Sequence, residues 1–206
     1  MAQCTPKSFD LTGKVALITG ASYGIGMAIA KAMAANGATI VFNDIKQELV
    51  DKGLAAYEEA GIKAHGYVCD VTDEDAVNAM VAKITEEVGH INILVNNAGI
   101  IKRIPMTEMT AAQFRQVIDV DLNAPFIVAK AVIPDMIAQG GGKIINICSM
   151  MSELGREIIF PDTPCEESEH PALPPVSRSY SGVWGRSVIW IRRRTEYRPQ
   201  RTRPCR

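Results

Sequence analysis

The segment TGASYGIG, residues 19–26, follows the apolar run VALI at residues 15–18 and opens a stretch with a helical apolar face. This order of strand, glycine-rich turn and helix is typical of loops that hold the pyrophosphate of a dinucleotide. Gly20 takes the turn out of the strand, Gly24 lets the main chain approach the pyrophosphate, and Gly26 lets the helix pack closely on the strand it has left. The alternative is a glycine-rich turn without a ligand. The candidate cofactor residues of the segment are Thr19, Gly20, Ser22, Tyr23, Gly24, Ile25 and Gly26.

Composition restricts the class of protein. With 206 residues, 47% of them hydrophobic, and a net charge of −1, the chain is long enough to bury a substantial core. No apolar run reaches membrane-spanning length, and the N-terminal residues lack a signal-peptide pattern. The five cysteines form no CxxC pair, and the three histidines have no metal-ligand spacing. We therefore expect a cytoplasmic protein without a disulfide framework, a metal site or a membrane segment.

Predicted strands alternate with predicted helices as far as residue 148. The strands cover residues 14–19, 38–42, 63–68, 91–95 and 143–148. The first helix follows the glycine-rich segment and ends near residue 35, and the other helices cover residues 47–59, 74–88 and 111–137. Because the strands are continuous apolar runs, we expect both faces of the sheet to be covered. The pattern predicts an α/β, Rossmann-like fold with a doubly wound parallel sheet, and it leaves the strand order open.

Acidic residues stand at the ends of the second and third predicted strands. Asp44 lies 18 residues after Gly26, where a carboxylate can accept hydrogen bonds from an adenosine ribose and repel a 2′-phosphate. This favours NAD over NADP as the cofactor, without excluding NADP. Asp44 could instead cap the helix that begins near Gln47. Asp70 could bind an adenine edge or cap the next helix, a role for which Asp73 competes.

The chain resembles the short-chain dehydrogenase/reductase family through five motifs in order over about 150 residues. These are the glycine loop, the pair Asp70-Val71, the run Asn96-Asn97-Ala98-Gly99, Asn123 and Ser149. Residues 96–106 and 143–157 also look like the gluconate 5-dehydrogenases within that family. The resemblance implies hydride transfer between a nicotinamide cofactor and a sugar acid or polyol, in enzymes whose intact forms are homo-oligomers.

The chemistry of further side chains, together with the resemblance for Asn123, suggests roles for them. Asn96, Ala98 and Gly99 would let the backbone pass beneath the nicotinamide ribose, and Ser149 would hold the reacting oxygen. Asn123 would hold a water in a proton relay. Since Pro125 cannot donate to the carbonyl of Asp121, we also expect a distorted helix there, and Asn123 could simply be a polar residue beside that distortion. Arg103 could clamp a substrate carboxylate or be a solvated loop cation.

The resemblance ends at the chemical centre. Family members place a tyrosine thirteen residues after the catalytic serine and a lysine four residues later, and these two groups act as acid/base and its supporting cation. Asp162 and Glu166 occupy those positions here, and no lysine follows Lys143. Tyr180 is followed after four residues by a tryptophan, so neither catalytic role transfers to this chain.

Composition changes at the same place. Residues 158–206 contain seven of the eleven prolines and both tryptophans, and their net charge is +4 against −5 for residues 1–157, which together make the −1 of the chain. We therefore divide the chain into a dinucleotide-binding domain, residues 1–157, and a divergent tail of irregular structure, residues 158–206, which leaves the fold incomplete on its C-terminal side. A shift of reading frame near codon 157 explains the change. The alternative is an Arg- and Trp-rich module for nucleic acid.

These observations favour one function and one alternative. The first is an NAD-dependent scaffold of the gluconate 5-dehydrogenase type, which converts D-gluconate to 5-keto-D-gluconate and is impaired in this chain. The alternative is a noncatalytic dinucleotide-binding fragment. Because the tail lacks regularly spaced basic residues, we expect no nucleic-acid partner.

The frameshift hypothesis predicts the coding DNA. Another forward frame across codons 150–170 should encode a tyrosine at position 162 and a lysine at position 166, with no further change. Sequencing the gene and translating all three forward frames checks this prediction. If no alternative frame contains Tyr-x-x-x-Lys there, the tail is a product of selection and the hypothesis is wrong.

Overall fold

The computed structural model describes residues 9–105, 107–148 and 188–192. Its strands form one six-stranded sheet in the order β3-β2-β1-β4-β5-β6. The strands are β1 (Val15–Thr19), β2 (Thr39–Asp44), β3 (Ala64–Val68), β4 (Ile91–Asn96), β5 (Gly141–Asn146) and β6 (Val188–Arg192). The first five strands are parallel, and β6 pairs antiparallel with β5. The predicted doubly wound, Rossmann-like fold is confirmed.

Within the described residues, five α-helices connect or follow these strands. They are α1 (Gly24–Ala35), α2 (Gln47–Glu59), α3 (Glu74–Glu87), α4 (Ala111–Ile118) and α5 (Ala124–Ala138). The largest differences from the predicted bounds are at the second strand, which continues to Asp44, and the fifth, which covers Gly141–Asn146 rather than residues 143–148. The extension of β2 places Asp44 at the end of a strand, as its predicted role requires.

Two apolar clusters cover the two faces of the sheet. Leu17, Val41 and Leu94 face helices α3 and α5, whereas Ile18 and Phe42 face helices α1 and α2. This division follows from the sequence, because successive side chains of a strand point to opposite faces. All five residues of β1 are buried, which explains why the central strand reads as a continuous apolar run.

The predicted helix over residues 111–137 is three elements in the structure. A π-helical turn, Asp119–Asn123, separates α4 from α5. Pro125 is the second residue after this turn, and its missing N–H leaves the i−4 backbone bond unmade. The predicted distortion is therefore confirmed, and its form is a π turn.

Strand β6 lies in the segment for which the sequence predicts irregular structure. The run Val188-Ile189-Trp190-Ile191 consists of residue types that favour strands. Its backbone pairs with β5 from Gly141 to Ile145. This pairing satisfies the backbone groups on the outer edge of β5.

Candidate functional site

The strand order reverses direction between β1 and β4, and ligands of open α/β sheets bind at such a position. Connections from β1 lead outward to β2 and β3 on one side, and the chain then returns to β4 and β5 on the other. The loops that follow β1 and β4 therefore separate above the carboxyl ends of the strands. The structure brings the predicted cofactor residues together along this edge of the sheet.

The hydroxyl of Thr19 joins the two strands at this position. Its Oγ1 accepts hydrogen bonds from the backbone N–H groups of Asn97 and Ala98, each at 3.0 Å. The side-chain amide of Asn97 donates in return to the carbonyls of Thr19 and Gly20, at 2.9 and 3.1 Å. Thr19 is 2% exposed, so these bonds are shielded from water. The loop after β1 and the loop after β4 are thus held in a fixed relation.

The three glycines of the segment have different structural roles. Gly20 and Gly24 have φ angles of +62° and +64°, which disfavour other residues. A methyl group on Gly20 would lie 2.9 Å from the Ala98 Cα, whereas one on Gly24 would meet nothing within 4 Å. The space over Gly24 is therefore open.

The predicted role of Gly26 needs a correction. A methyl group there would collide with the side-chain amide of Asn97 and lie 2.9 Å from the Ala21 Cα. The close approach is therefore to the loops that follow β1 and β4, rather than to β1 itself. The physical reason is the Thr19 connection, which brings Asn97 beneath the first turn of α1.

The N-terminus of α1 has no side-chain cap. Its N-cap residue is Tyr23, and the first N–H groups of the helix therefore lack a capping side chain while carrying the positive end of the helix dipole. Ser22 is buried, and its Oγ has no hydrogen-bond partner among the described residues. Tyr57 supports the loop from below, because its hydroxyl donates to the carbonyl of Ala21 at 2.8 Å. Together these groups fit the pyrophosphate of a dinucleotide.

Asp44 ends β2 beside this loop. One of its carboxylate oxygens accepts a hydrogen bond from the N–H of Ile45 at 2.8 Å. The alternative role as a helix cap is wrong, because the N-cap residue of α2 is Lys46 and that helix has no side-chain cap. The carboxylate stays partly accessible at the edge of the site.

Two acidic residues follow β3, and one of them, Asp73, caps the next helix. Asp73 caps α3 by accepting from the N–H groups of Asp75 and Ala76. Asp70 is exposed, and its Oδ1 accepts from the N–H and hydroxyl of Thr72 at 2.9 and 2.7 Å. Asp70 is therefore not the helix cap, and its carboxylate lies in the loop after β3. Its neighbour Val71 is buried.

Asn96 lies at the end of β4 and contacts the end of β5 and the start of α5. Its side-chain amide donates to Asn146 Oδ1 at 2.9 Å and to the Pro125 carbonyl at 3.4 Å. Its own carbonyl accepts from the N–H of Ile147 at 2.9 Å. Gly99 is exposed in the loop that follows. The N–H of the next residue donates to Asp121 Oδ1 at 2.9 Å, which ties this loop to the π-helical turn.

The predicted catalytic and substrate residues are only partly described. Asn123 is exposed at the end of the π-helical turn, and its amide donates to Asp119 Oδ1 at 2.9 Å. Arg103 is exposed in the loop after β4. Ser149, Asp162 and Glu166 lie outside the described residues, as does the tail apart from β6, so the nucleic-acid alternative has no described structure.

Apolar side chains are exposed around the same edge of the sheet. The exposed fractions are 66% for Tyr23, 68% for Ile25, 56% for Ile45, 48% for Ile101 and 40% for Ile147. Each of these residues follows the carboxyl end of a strand. An apolar rim around a set of polar groups is typical of a ligand-binding site.

Sequence reasoning missed four residues that build the site. They are Asn43, Tyr57, Asp121 and Asn146. Two of them had a signal in the sequence, because Asn43 and Asn146 are polar residues at the ends of apolar strands. Tyr57 and Asp121 act through contacts with distant segments, and no local sequence pattern predicts such contacts.

Two buried side chains near this site, Cys69 and Tyr57, have raised pKa values. Burial raises the pKa of the Cys69 thiol to about 11, which keeps it protonated at neutral pH. Burial likewise raises the pKa of Tyr57 above its ordinary value, so its hydroxyl remains a donor.

Within residues 9–105, 107–148 and 188–192, no group of three or more His, Cys, Asp or Glu side chains could hold a metal ion. No helix in that part of the chain is long and apolar enough to cross a membrane.

Comparison with known proteins places the chain among dehydrogenases. The profile of the family described as short chain dehydrogenase matches residues 14–160. The 2-dehydro-3-deoxy-D-gluconate 5-dehydrogenase of Formosa agariphila is 55% identical over 152 residues, which cover 73% of this chain and 58% of that protein.

Two solved structures share the fold. The 2-keto-3-deoxy-D-gluconate dehydrogenase of Streptococcus agalactiae is 77% identical, with a TM-score of 0.65 over 72% of this chain and 56% of that one. A gluconate 5-dehydrogenase of Burkholderia cenocepacia, solved with NADP and tartrate, is 41% identical, with a TM-score of 0.71 over 76% and 62%. The chain spans less than two thirds of the length of each of these three relatives.

The Thr19 connection makes a prediction about stability. Thr19→Val keeps the shape of the side chain and removes the acceptor of two shielded N–H groups, so the free energy of unfolding should fall by about 1–3 kcal/mol. Thr19→Ser keeps the hydroxyl and should cost clearly less. Urea unfolding followed by circular dichroism measures both. A loss for Thr19→Ser that exceeds the loss for Thr19→Val would show that the methyl group, rather than the hydroxyl, holds the loops.

Proposed function

The chain belongs to the short chain dehydrogenase family, and we propose that it binds NAD(P) as the cofactor-binding part of a dehydrogenase for six-carbon sugar acids. One observation carries the proposal. The uncapped N-terminus of α1, the open space over Gly24 and the carboxylate of Asp44 lie along one edge of the sheet, at the point where the strand order reverses. This arrangement fits a pyrophosphate at the helix N-terminus and an adenosine ribose at Asp44.

The chain's own residues would hold successive parts of the cofactor. Amides of the glycine loop and α1 meet the pyrophosphate, while Asp44 and Asp70 meet the adenosine half. Ala98 and Gly99 offer small side chains where the nicotinamide half would pass. When bound, the cofactor supplies the hydride acceptor of the reaction. The apolar rim, which includes Tyr23 and Ile25, would exclude water from the bound dinucleotide.

We further propose that NAD is preferred over NADP. Asp44 presents a partly accessible carboxylate at the end of β2, and its bond to the N–H of Ile45 fixes its orientation. A carboxylate in this position accepts from ribose hydroxyls and repels a 2′-phosphate. The Burkholderia relative was solved with NADP, so the preference proposed for this chain rests on Asp44 alone.

The proposed substrate class is a six-carbon sugar acid that is oxidised at C5. Two of the three relatives are named for chemistry at position 5, one on gluconate and one on its 2-dehydro-3-deoxy derivative. Arg103 is an exposed cation in the loop after β4 and can pair with a carboxylate by two hydrogen bonds. Ser149 would hold the reacting oxygen and Asn123 a water, as the family resemblance implies. Cytoplasmic location belongs to the same proposal, whereas the resemblance implies assembly of several copies only for intact relatives.

We propose that turnover is impaired in this chain. Oxidation at C5 moves a hydride from the carbon to the cofactor and a proton from the hydroxyl to a base. The family's tyrosine and lysine are replaced by Asp162 and Glu166, and no lysine follows Lys143. The second candidate function, a dinucleotide-binding protein without turnover, is favoured by this same observation.

The role of Asp44 predicts the cofactor preference. Wild-type chain should bind NAD more tightly than NADP by about tenfold, or about 1.4 kcal/mol, and Asp44→Ala should narrow that difference. Asp51→Ala, which removes an equal charge from the exposed surface of α2, should leave it unchanged. Calorimetric titration with both dinucleotides measures the preference. A folded chain that binds NADP as well as NAD would exclude the assigned role of Asp44.

The missing tyrosine and lysine predict the rate of turnover. With gluconate and NAD, the rate of NADH formation should be lower than that of intact relatives by at least about 10² to 10⁴, the usual contribution of general acid/base catalysis. Absorbance at the NADH band measures it. A rate comparable with intact relatives, abolished by Ser149→Ala, would show that another group has taken over the role of the base.

A further inference from the structure

A row of polar side chains crosses the sheet beneath the candidate cofactor site. Asn43, Thr19, Asn96 and Asn146 stand at or next to the carboxyl ends of four neighbouring strands. Thr19 is in register with Asn43, and Asn96 is in register with Asn146. Each follows by two residues an apolar side chain of the cluster beneath α3 and α5, so all four point to the same face. The first three are at most 5% exposed.

Asn43 contacts the two strands that flank β2. Its side-chain amide donates to the carbonyl of Cys69 at 3.1 Å, immediately before Asp70. Its backbone carbonyl accepts from the N–H of Gly20 at 3.0 Å, at the turn out of β1. The next residue is Asp44, whose carbonyl accepts from the N–H of Cys69 at 3.0 Å. One residue therefore connects the three loops that follow β1, β2 and β3.

The side chain of Asn43 is not explained by packing. It is 1% exposed, and its Oδ1 has no hydrogen-bond partner among the described residues. A buried carbonyl without a donor costs folding free energy, and an apolar residue of similar size would avoid this cost. The donor bond to Cys69 is the one described contact that needs an amide at this position.

We propose that Asn43 is a positioning residue for the adenosine half of the dinucleotide, an inference that rests on the proposed cofactor binding. Asn43 does not touch the ligand. It fixes the distance between the Gly20 turn, Asp44 and the Asp70 loop, and these three carry the groups proposed for the ribose and the adenine edge. Small errors in such a distance weaken the affinity for the ligand, because the ligand must then distort the loops to reach all its partners.

The test compares Asn43→Asp with Asn36→Asp. The first variant replaces the donor to the Cys69 carbonyl by an oxygen of similar size. The second makes the same chemical change at an exposed helix end, where the side-chain amide of Asn36 donates to the Ala32 carbonyl at 2.8 Å. Each full-length variant is titrated with AMP and with nicotinamide mononucleotide, well below its melting temperature. If Asn43→Asp does not fold, Asn43→Ser replaces it, because the serine hydroxyl is too short to reach Cys69.

The proposal expects a selective effect. AMP should bind about tenfold more weakly to the Asn43 variant, with little change for nicotinamide mononucleotide and none for the Asn36 variant. In the wild-type chain, AMP should also shift the side-chain amide resonance of Asn43 and leave that of Asn36 unchanged. Unchanged AMP affinity, or equal losses for both nucleotides, would overturn the positioning role. Wild-type chain that binds neither AMP nor NAD would instead contradict the proposed function.

Discussion

The hydrogen bonds of Thr19 to the backbone of Asn97 and Ala98 are the constraint on which the candidate site depends. Parallel strands on the two sides of a switch point send their chains in opposite directions, so the loops above them have no ladder bonds to hold them together. Thr19 supplies that connection from β1, and the Asn97 amide supplies it from β4. The glycines then follow from sterics, because Gly20 and Gly26 face Ala98 and Asn97 at distances that exclude a side chain. What remains above the sheet is an open loop whose amides are available to an anion.

The polar row extends this constraint across the sheet. Asn43 connects β2 to the end of β3, and Asn96 connects β4 to β5 and to the start of α5. Two of the row's buried carbonyl oxygens, Asn43 Oδ1 and Asn96 Oδ1, have no partner among the described residues. An apolar sheet would fold without that cost. The amides and the Thr19 hydroxyl instead fix the carboxyl ends of the strands, where the groups proposed for the cofactor lie.

Much of the fold was predictable because burial on both faces of a parallel sheet produces apolar runs. Residues 15–18 and 91–95 read as strands for this reason, and the effect of Pro125 on its helix was predictable from its missing N–H. The strand order was not, because it depends on contacts between distant segments. The roles of Gly26, Tyr57 and Asn43 were missed for the same reason. Strand β6 was missed because its five residues lie among proline- and arginine-rich sequence, whereas the open edge of β5 favours their pairing.

In the function proposed above, this chain holds a dinucleotide above the carboxyl ends of its strands. Titration of isotope-labelled chain with NAD, followed through the backbone amide resonances, tests it most directly. We expect the shifts to concentrate at residues 20–25, 44–45, 70–71 and 96–99, while the amino ends of the strands and the last turns of α2 and α3 stay unchanged. Well-dispersed spectra that show no change with NAD, or changes confined to other parts of the chain, would contradict it.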